Sequence, residues 1–103
     1  MSPAAKRPRA ADSGSDRRLR AASERMMLMR AFGQRMRRLR LDAGLTPARL
    51  ARKCRVSPAT INKAESGLSE PALSLILILC NGLGVRPDTL IGELPIPQER
   101  RRG

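Results

Sequence analysis

Histidine, tryptophan and tyrosine are absent from this chain of 103 residues, and phenylalanine occurs once. Without histidine, and with no nucleophile paired to a base, acid–base and covalent catalysis lose their usual agents, so an enzyme is not expected. With a single ring, the core falls to Leu, Ile, Val, Met and Ala, which favours packed helices over sheets. The same shortage removes the stacking platforms used to hold single-stranded RNA. Only two cysteines are present, Cys54 and Cys80. They have no metal-ligand spacing and no histidine to join them, so both are expected as small reduced core residues in a cytosolic protein, with no metal and no cofactor. The longest apolar run, "LSLILILC" from Leu73, is far short of the ~20 residues of a membrane span. "MMLM" is likewise too short for the apolar region of a signal peptide, so a soluble, unexported chain is expected.

What the chain has in excess is positive charge, +12 in all. Residues 1 to 40 hold twelve Arg or Lys against three acids, whereas residues 41 to 99 hold six of each, and Arg100 to Arg102 add three more. A neutral middle with cationic ends attracts polyanions, nucleic acid before anionic membrane.

Composition divides the chain into four stretches. Residues 1–15 combine Pro, Ala, Ser, Gly and charge with nothing apolar to bury, and read as a disordered basic arm. Residues 16–30 read as an arginine-rich helical extension. A compact unit occupies residues 31–92, and residues 93–103 form a short basic tail. The first helical pattern runs to Asp42, with Leu28, Phe32, Met36 and Leu39 on one face and Gly44 as its stop. A second helix starts at "TPARLARKC", where Thr46 can cap the free N–H groups and Pro47 fits the first helical position. A third repeats the device with Ser57 and Pro58, turns Ile61 inward and ends at Gly67. A fourth is expected from Pro71 to about Asn81, and a short fifth from "PDTLIGEL".

Two short helices joined by a tight turn inside five helices follow the plan of a helix-turn-helix domain. The residues "FGQRMRRLRLDAGLT", "LARKCRVSPATINKAESG" and "EPALSLILILCNGLGVRPDTL" resemble the Cro/Xre family from Phe32 to Leu90, without gaps. The resemblance implies an all-α, lambda-repressor-like fold. It implies that Leu50, Cys54, Val56 and Ile61 hold the second and third helices together, and that Ala51 is small where they approach. It also implies an internal ion pair between Arg40 and Glu65.

The resemblance further implies a DNA-reading surface at the start of the third helix, where short side chains let the backbone approach base edges in the major groove. Pro58, Ala59 and Lys63 match base-reading positions, with Asn62 on the same surface. Lys63 can donate to guanine, and the Ala59 methyl can touch a thymine methyl. Ser57 and Thr60 fall nearer to phosphate, and Thr46, Arg49 and Arg55 are further backbone candidates.

Three departures from the family stand out. Pro47 replaces the usual Gln, Arg55 occupies the turn glycine's position, and the loop "SGLSEP" is acidic where some relatives are basic. Phosphate contacts are therefore expected from the arm, through Lys6, Arg7 and Arg9, followed by Arg17, Arg18 and Arg20. The fourth helix is also too apolar for its place. Ile76, Leu77, Leu79 and Leu83 match core positions, and Leu75 and Ile78 stand where polar residues are usual. Leu75 and Ile78 are thus the expected dimer seam, with Leu94 and Ile96 as additions. By this resemblance the chain is expected to be a homodimeric, sequence-specific binder of double-stranded DNA, a repressor of bacterial or phage origin that is cytoplasmic and nucleoid-associated. The alternatives are an antitoxin-like adaptor that binds DNA and a protein partner, and a basic protein of RNA or membrane surfaces.

Overall fold

The computed structural model describes residues 9–96, with side chains from residue 16 onward. Five helices follow in order: α1 (Arg9–Asp42), α2 (Pro47–Cys54), α3 (Pro58–Ser66), α4 (Leu73–Leu83) and α5 (Pro87–Ile91), and no strand occurs among the described residues. The all-helical architecture expected from the lack of aromatic residues is the one found.

The helix boundaries follow local chemistry. α1 stops where Gly44 takes a left-handed conformation, φ +72°. α2 and α3 open alike: the Thr46 hydroxyl accepts from the Arg49 N–H at 3.1 Å, and the Ser57 hydroxyl accepts from the Thr60 N–H at 3.1 Å. Each cap is followed by a proline, whose missing N–H is no loss in the first turn. α3 and α4 end on left-handed glycines, Gly67 and Gly84.

Two boundaries differ from expectation. α1 begins at Arg9 rather than Asp16, so residues 9–15, assigned to the disordered arm, are helical. Extending an existing helix skips the costly nucleation step, and Arg9, Ala10 and Ala11 are good helix formers. α4 runs from Leu73 to Leu83 rather than from Pro71 to Asn81. Gly82 does not break it; it lies inside the helix because a Cβ there would stand 2.5 Å from the Cys54 sulfur. A bare backbone is what lets α4 close on α2.

The core comprises Phe32 and Met36 of α1, Leu50, Ala51 and Cys54 of α2, Ile61 and Ala64 of α3, Leu79, Cys80 and Leu83 of α4, and Leu90 of α5. Leu39, Val56, Leu75, Ile76 and Leu94 pack around it, half-buried. Only the C-terminal part of α1 joins this cluster. At 1.5 Å per residue a helix of this length is about 50 Å long, and its N-terminal part projects to give extents of 62 × 28 × 20 Å.

The fourth helix corrects two assignments. Leu75, expected on the outward face, packs against the core, whereas Leu77, expected inside, is 48% exposed. The core is met by Leu75, Ile76, Leu79, Cys80 and Leu83, and that register turns Leu77 outward beside Ile78, which is 40% exposed. Leu94 also turns inward. Ile96 lines a groove with Leu28, Met29 and Ile91, separate from the one holding Leu77 and Ile78.

Candidate nucleic-acid interface

The site is built on α2, a tight turn and α3. Leu50, Ala51 and Cys54 fix the inner face of α2, and Ile61 and Ala64 that of α3. Arg55 makes the turn between them at φ 57°, ψ 44°, the only non-glycine residue with positive φ among those described. Its N–H reaches the Arg52 carbonyl at 3.2 Å, and the Val56 N–H reaches that of Ala51 at 3.0 Å. A left-handed arginine costs about 1 kcal/mol relative to glycine, so the turn keeps a charge at the expense of some stability.

The outer face of α3 is made of short side chains. Ser57, Pro58, Ala59, Asn62 and Lys63 are exposed, and Thr60 is half-buried. Ser57 and Thr60 also share a hydrogen bond between their hydroxyls at 3.0 Å, so the first turn of α3 is internally braced. Arg49, Arg52, Lys53 and Arg55 are exposed on the neighbouring helix and turn. Arg52 and Lys53 were not among the candidates named from the sequence, although their spacing from Arg49 and Arg55 put them within the same short basic stretch. From Thr46 to Ser66 the chain contains one acid, Glu65.

That acid is removed from the outer face. Arg40 Nε donates to Glu65 Oε2 at 2.6 Å and Nη2 donates to Oε1 at 3.1 Å, a two-pronged pair with both side chains over nine-tenths buried. The third guanidinium branch donates to the Leu45 carbonyl at 2.8 Å. One arginine thus ties together α1, the α1–α2 loop and the end of α3, while neutralising the carboxylate nearest the basic face. Its double-pronged geometry is the kind that lysine could not reproduce. Gly33 adds a second clamp, since a Cβ there would overlap the backbone carbonyls of Ala64 and Glu65. Sequence reasoning missed Gly33, because a lone glycine inside a helical pattern does not announce what it touches.

The remaining candidates divide by position. Lys6 and Arg7 lie outside the described residues, and Arg9 is the first residue of α1. The acidic loop lies beside α1, where Glu70 approaches Arg25 at 4.0 Å, both well exposed. Burial pushes the thiols of Cys54 and Cys80 up, with Lys53 opposing the rise at Cys54. Raised thiols stay protonated at neutral pH, which suits packing rather than nucleophilic attack. Among the described residues no group of three or more Cys, Asp or Glu side chains could hold a metal ion, and no helix is long and apolar enough to cross a membrane.

A braced helix of small side chains, set beside a basic partner helix across a left-handed turn, defines a helix-turn-helix module. The chain belongs to the helix-turn-helix domain family, whose model matches residues 31–94, and is of the Cro/Xre type. It is accordingly a DNA-binding transcription regulator. Solved structures agree. The restriction-modification controller protein C.AhdI from Aeromonas hydrophila is 32% identical, with 60% of this chain and 94% of that one covered and a TM-score of 0.59. The clp gene regulator ClgR from Corynebacterium glutamicum is 37% identical, covering 62% and 84%, with a TM-score of 0.58. The hypothetical transcription factor NHTF from Neisseria is 27% identical, covering 72% and 80%, with a TM-score of 0.60. No curated protein matches the chain.

Proposed function

We propose that the chain binds duplex DNA as a two-fold homodimer, reads the major groove with α3 and represses transcription by occupying the site. The observation that carries this reading is the outer face of α3. Its short exposed side chains allow close approach of the backbone to base edges, while its inner face is locked by Ile61, Ala64 and the Arg40–Glu65 pair. Pro58, Ala59, Asn62 and Lys63 contact bases. Thr46, Arg49, Arg55, Ser57 and Thr60 contact the backbone, joined by Arg52 and Lys53. Lys6, Arg7 and Arg9 add phosphate contacts from the N-terminal end.

One recognition helix contacts too few base pairs to select a genomic site, whereas two related by a two-fold axis double the reading. With Leu75 turned inward, the self-complementary patch shifts to Leu77 and Ile78, beside the still more exposed Leu73. A dimer held there covers its promoter by occupancy alone, which is sufficient for repression. In this reading residues 31–92 are the DNA-reading unit, residues 16–30 an extension and residues 93–103 a tail.

Selection of bound fragments from random duplex DNA tests the proposal. The expected outcome is a palindrome with half-sites about one helical turn apart, roughly 34 Å. Lys63→Ala should then cost about 1–3 kcal/mol on that site and relax one base-pair preference. A non-palindromic site bound by a single chain in sedimentation experiments would defeat the dimer. Equal weakening of Lys63→Ala on every sequence would remove it from the bases.

A further inference from the structure

The part of α1 that projects beyond the core carries a surface that DNA contact does not explain. Beyond Gly33, where α3 presses on α1, the same helical face continues through Met29, Met26, Ala22 and Leu19. The steps alternate between three and four residues, the spacing of a coiled-coil seam. Leu19 is 65% and Met26 is 49% exposed, and Met29 is half-buried at the edge of the apolar groove with Leu28, Phe32 and Ile91. The face that α3 covers at its inner end therefore runs on, half-covered at Met29 and exposed at Met26, Ala22 and Leu19.

Two properties of the stripe select its occupant. At ~100° per residue these four side chains span only about 80° of the helix circumference, the width of a seam for one helix and too narrow for immersion in a bilayer. Arginines border it on both sides, Arg18 and Arg25 along one edge and Arg30 along the other. Between residues 16 and 30 there are five arginines against Asp16 and Glu24. A second copy laid along the stripe would bring this excess against itself, whereas a helix with glutamates beside its apolar seam would meet opposite charge on both edges. Phosphate would satisfy the arginines but leave leucine and methionine with nothing to contact.

We propose that this segment of α1 is a docking site for an acidic amphipathic helix of another protein, held by Leu19, Ala22, Met26 and Met29 and oriented by the flanking arginines. The site stands apart from the α3 surface, so one chain can hold DNA and the partner together.

The probe is a synthetic helix of about three heptads, with leucine along its seam and glutamate at the flanks, titrated against the full chain. One control replaces the flanking glutamates with lysine, and another replaces the seam leucines with glutamine. The glutamate-flanked helix should bind at least about tenfold more tightly than either control, and Leu19→Glu/Met26→Glu should weaken it about tenfold with the melting temperature unchanged. Equal binding of the lysine-flanked helix would overturn the charge argument, and equal binding of the glutamine-seam helix would reduce the site to non-specific attraction by arginine. Three further results would assign the stripe elsewhere: loss of self-association in the double variant to a second copy, loss of binding to phosphatidylserine vesicles to a membrane, and loss of affinity for duplex DNA to the DNA interface.

Discussion

The two halves of α1 are continuous in backbone and opposite in circumstance. From residue 31 to Asp42 the helix is held by Phe32 and Met36 in the core, by Gly33 against α3, by Arg35 donating to the Thr89 carbonyl of α5 at 3.0 Å, and by Arg40 gripping Glu65. From residue 16 to residue 30 most side chains face outward, although Leu28 and Met29 are half-buried in the groove with Phe32 and Ile91, and Arg25 and Arg30 touch the end of α3 and the following loop. Secondary structure alone therefore says little about where stability resides. The inner half is secured by tertiary contacts, and the outer half is a helix because it extends one already formed.

The sharpest way to break this contrast is to cut the inner half's polar tie. Arg40→Ala leaves the Glu65 carboxylate buried without its partner, and Glu65→Ala leaves the guanidinium so; each should destabilise the domain by about 3–5 kcal/mol, measured by urea unfolding. An effect below about 1 kcal/mol would place the pair with ordinary surface ion pairs. Next in size is Gly33→Ala, where α1 and α3 must separate to admit a methyl group. Helix propensity favours alanine by about 1 kcal/mol, yet the overlap should give a net loss of about 1–3 kcal/mol. A gain in stability would show that the two helices can slide apart freely.

How far this contrast could be read from the sequence depends on the kind of contact. Phe32, Met36, Leu50 and Ile61 were visible as core because they recur at helical spacing, and Thr46–Pro47 and Ser57–Pro58 marked two helix starts through local chemistry. Arg55 was legible as a left-handed turn residue because it stands where the resembling family has glycine. The exchange of Leu75 and Leu77 was not legible: in a helix apolar all round, periodicity does not choose a face, and only the packing of α2 and α5 against α4 decides. Gly33 and Gly82 depend in the same way on what approaches from across the fold.

Arg55 provides a smaller test, one that separates stability from binding. Arg55→Gly relieves the left-handed strain and should raise stability by about 0.5–1 kcal/mol, while lowering the slope of log affinity against log salt by about 0.9 if the side chain neutralises one phosphate. Unchanged stability would mean that the turn is not strained. The smallest effect is expected in the outer half, where Leu19→Ala should alter the unfolding free energy by less than about 0.5 kcal/mol. A larger loss would show that this half contributes to the cooperative unit after all.

The projecting helix also changes how the molecule presents itself in solution. Its radius of gyration is 18.3 Å, whereas a compact domain of about 100 residues has one near 13 Å. By the same scaling, 18.3 Å is the radius expected of a compact globule of about 260 residues. A single chain will therefore scatter X-rays with the radius of a protein more than twice its mass, and its orientation will relax more slowly about its short axes than about its long one. The assembly state is accordingly to be weighed by sedimentation equilibrium or forward scattering, both of which count mass, because a lone monomer already has the girth of a pair.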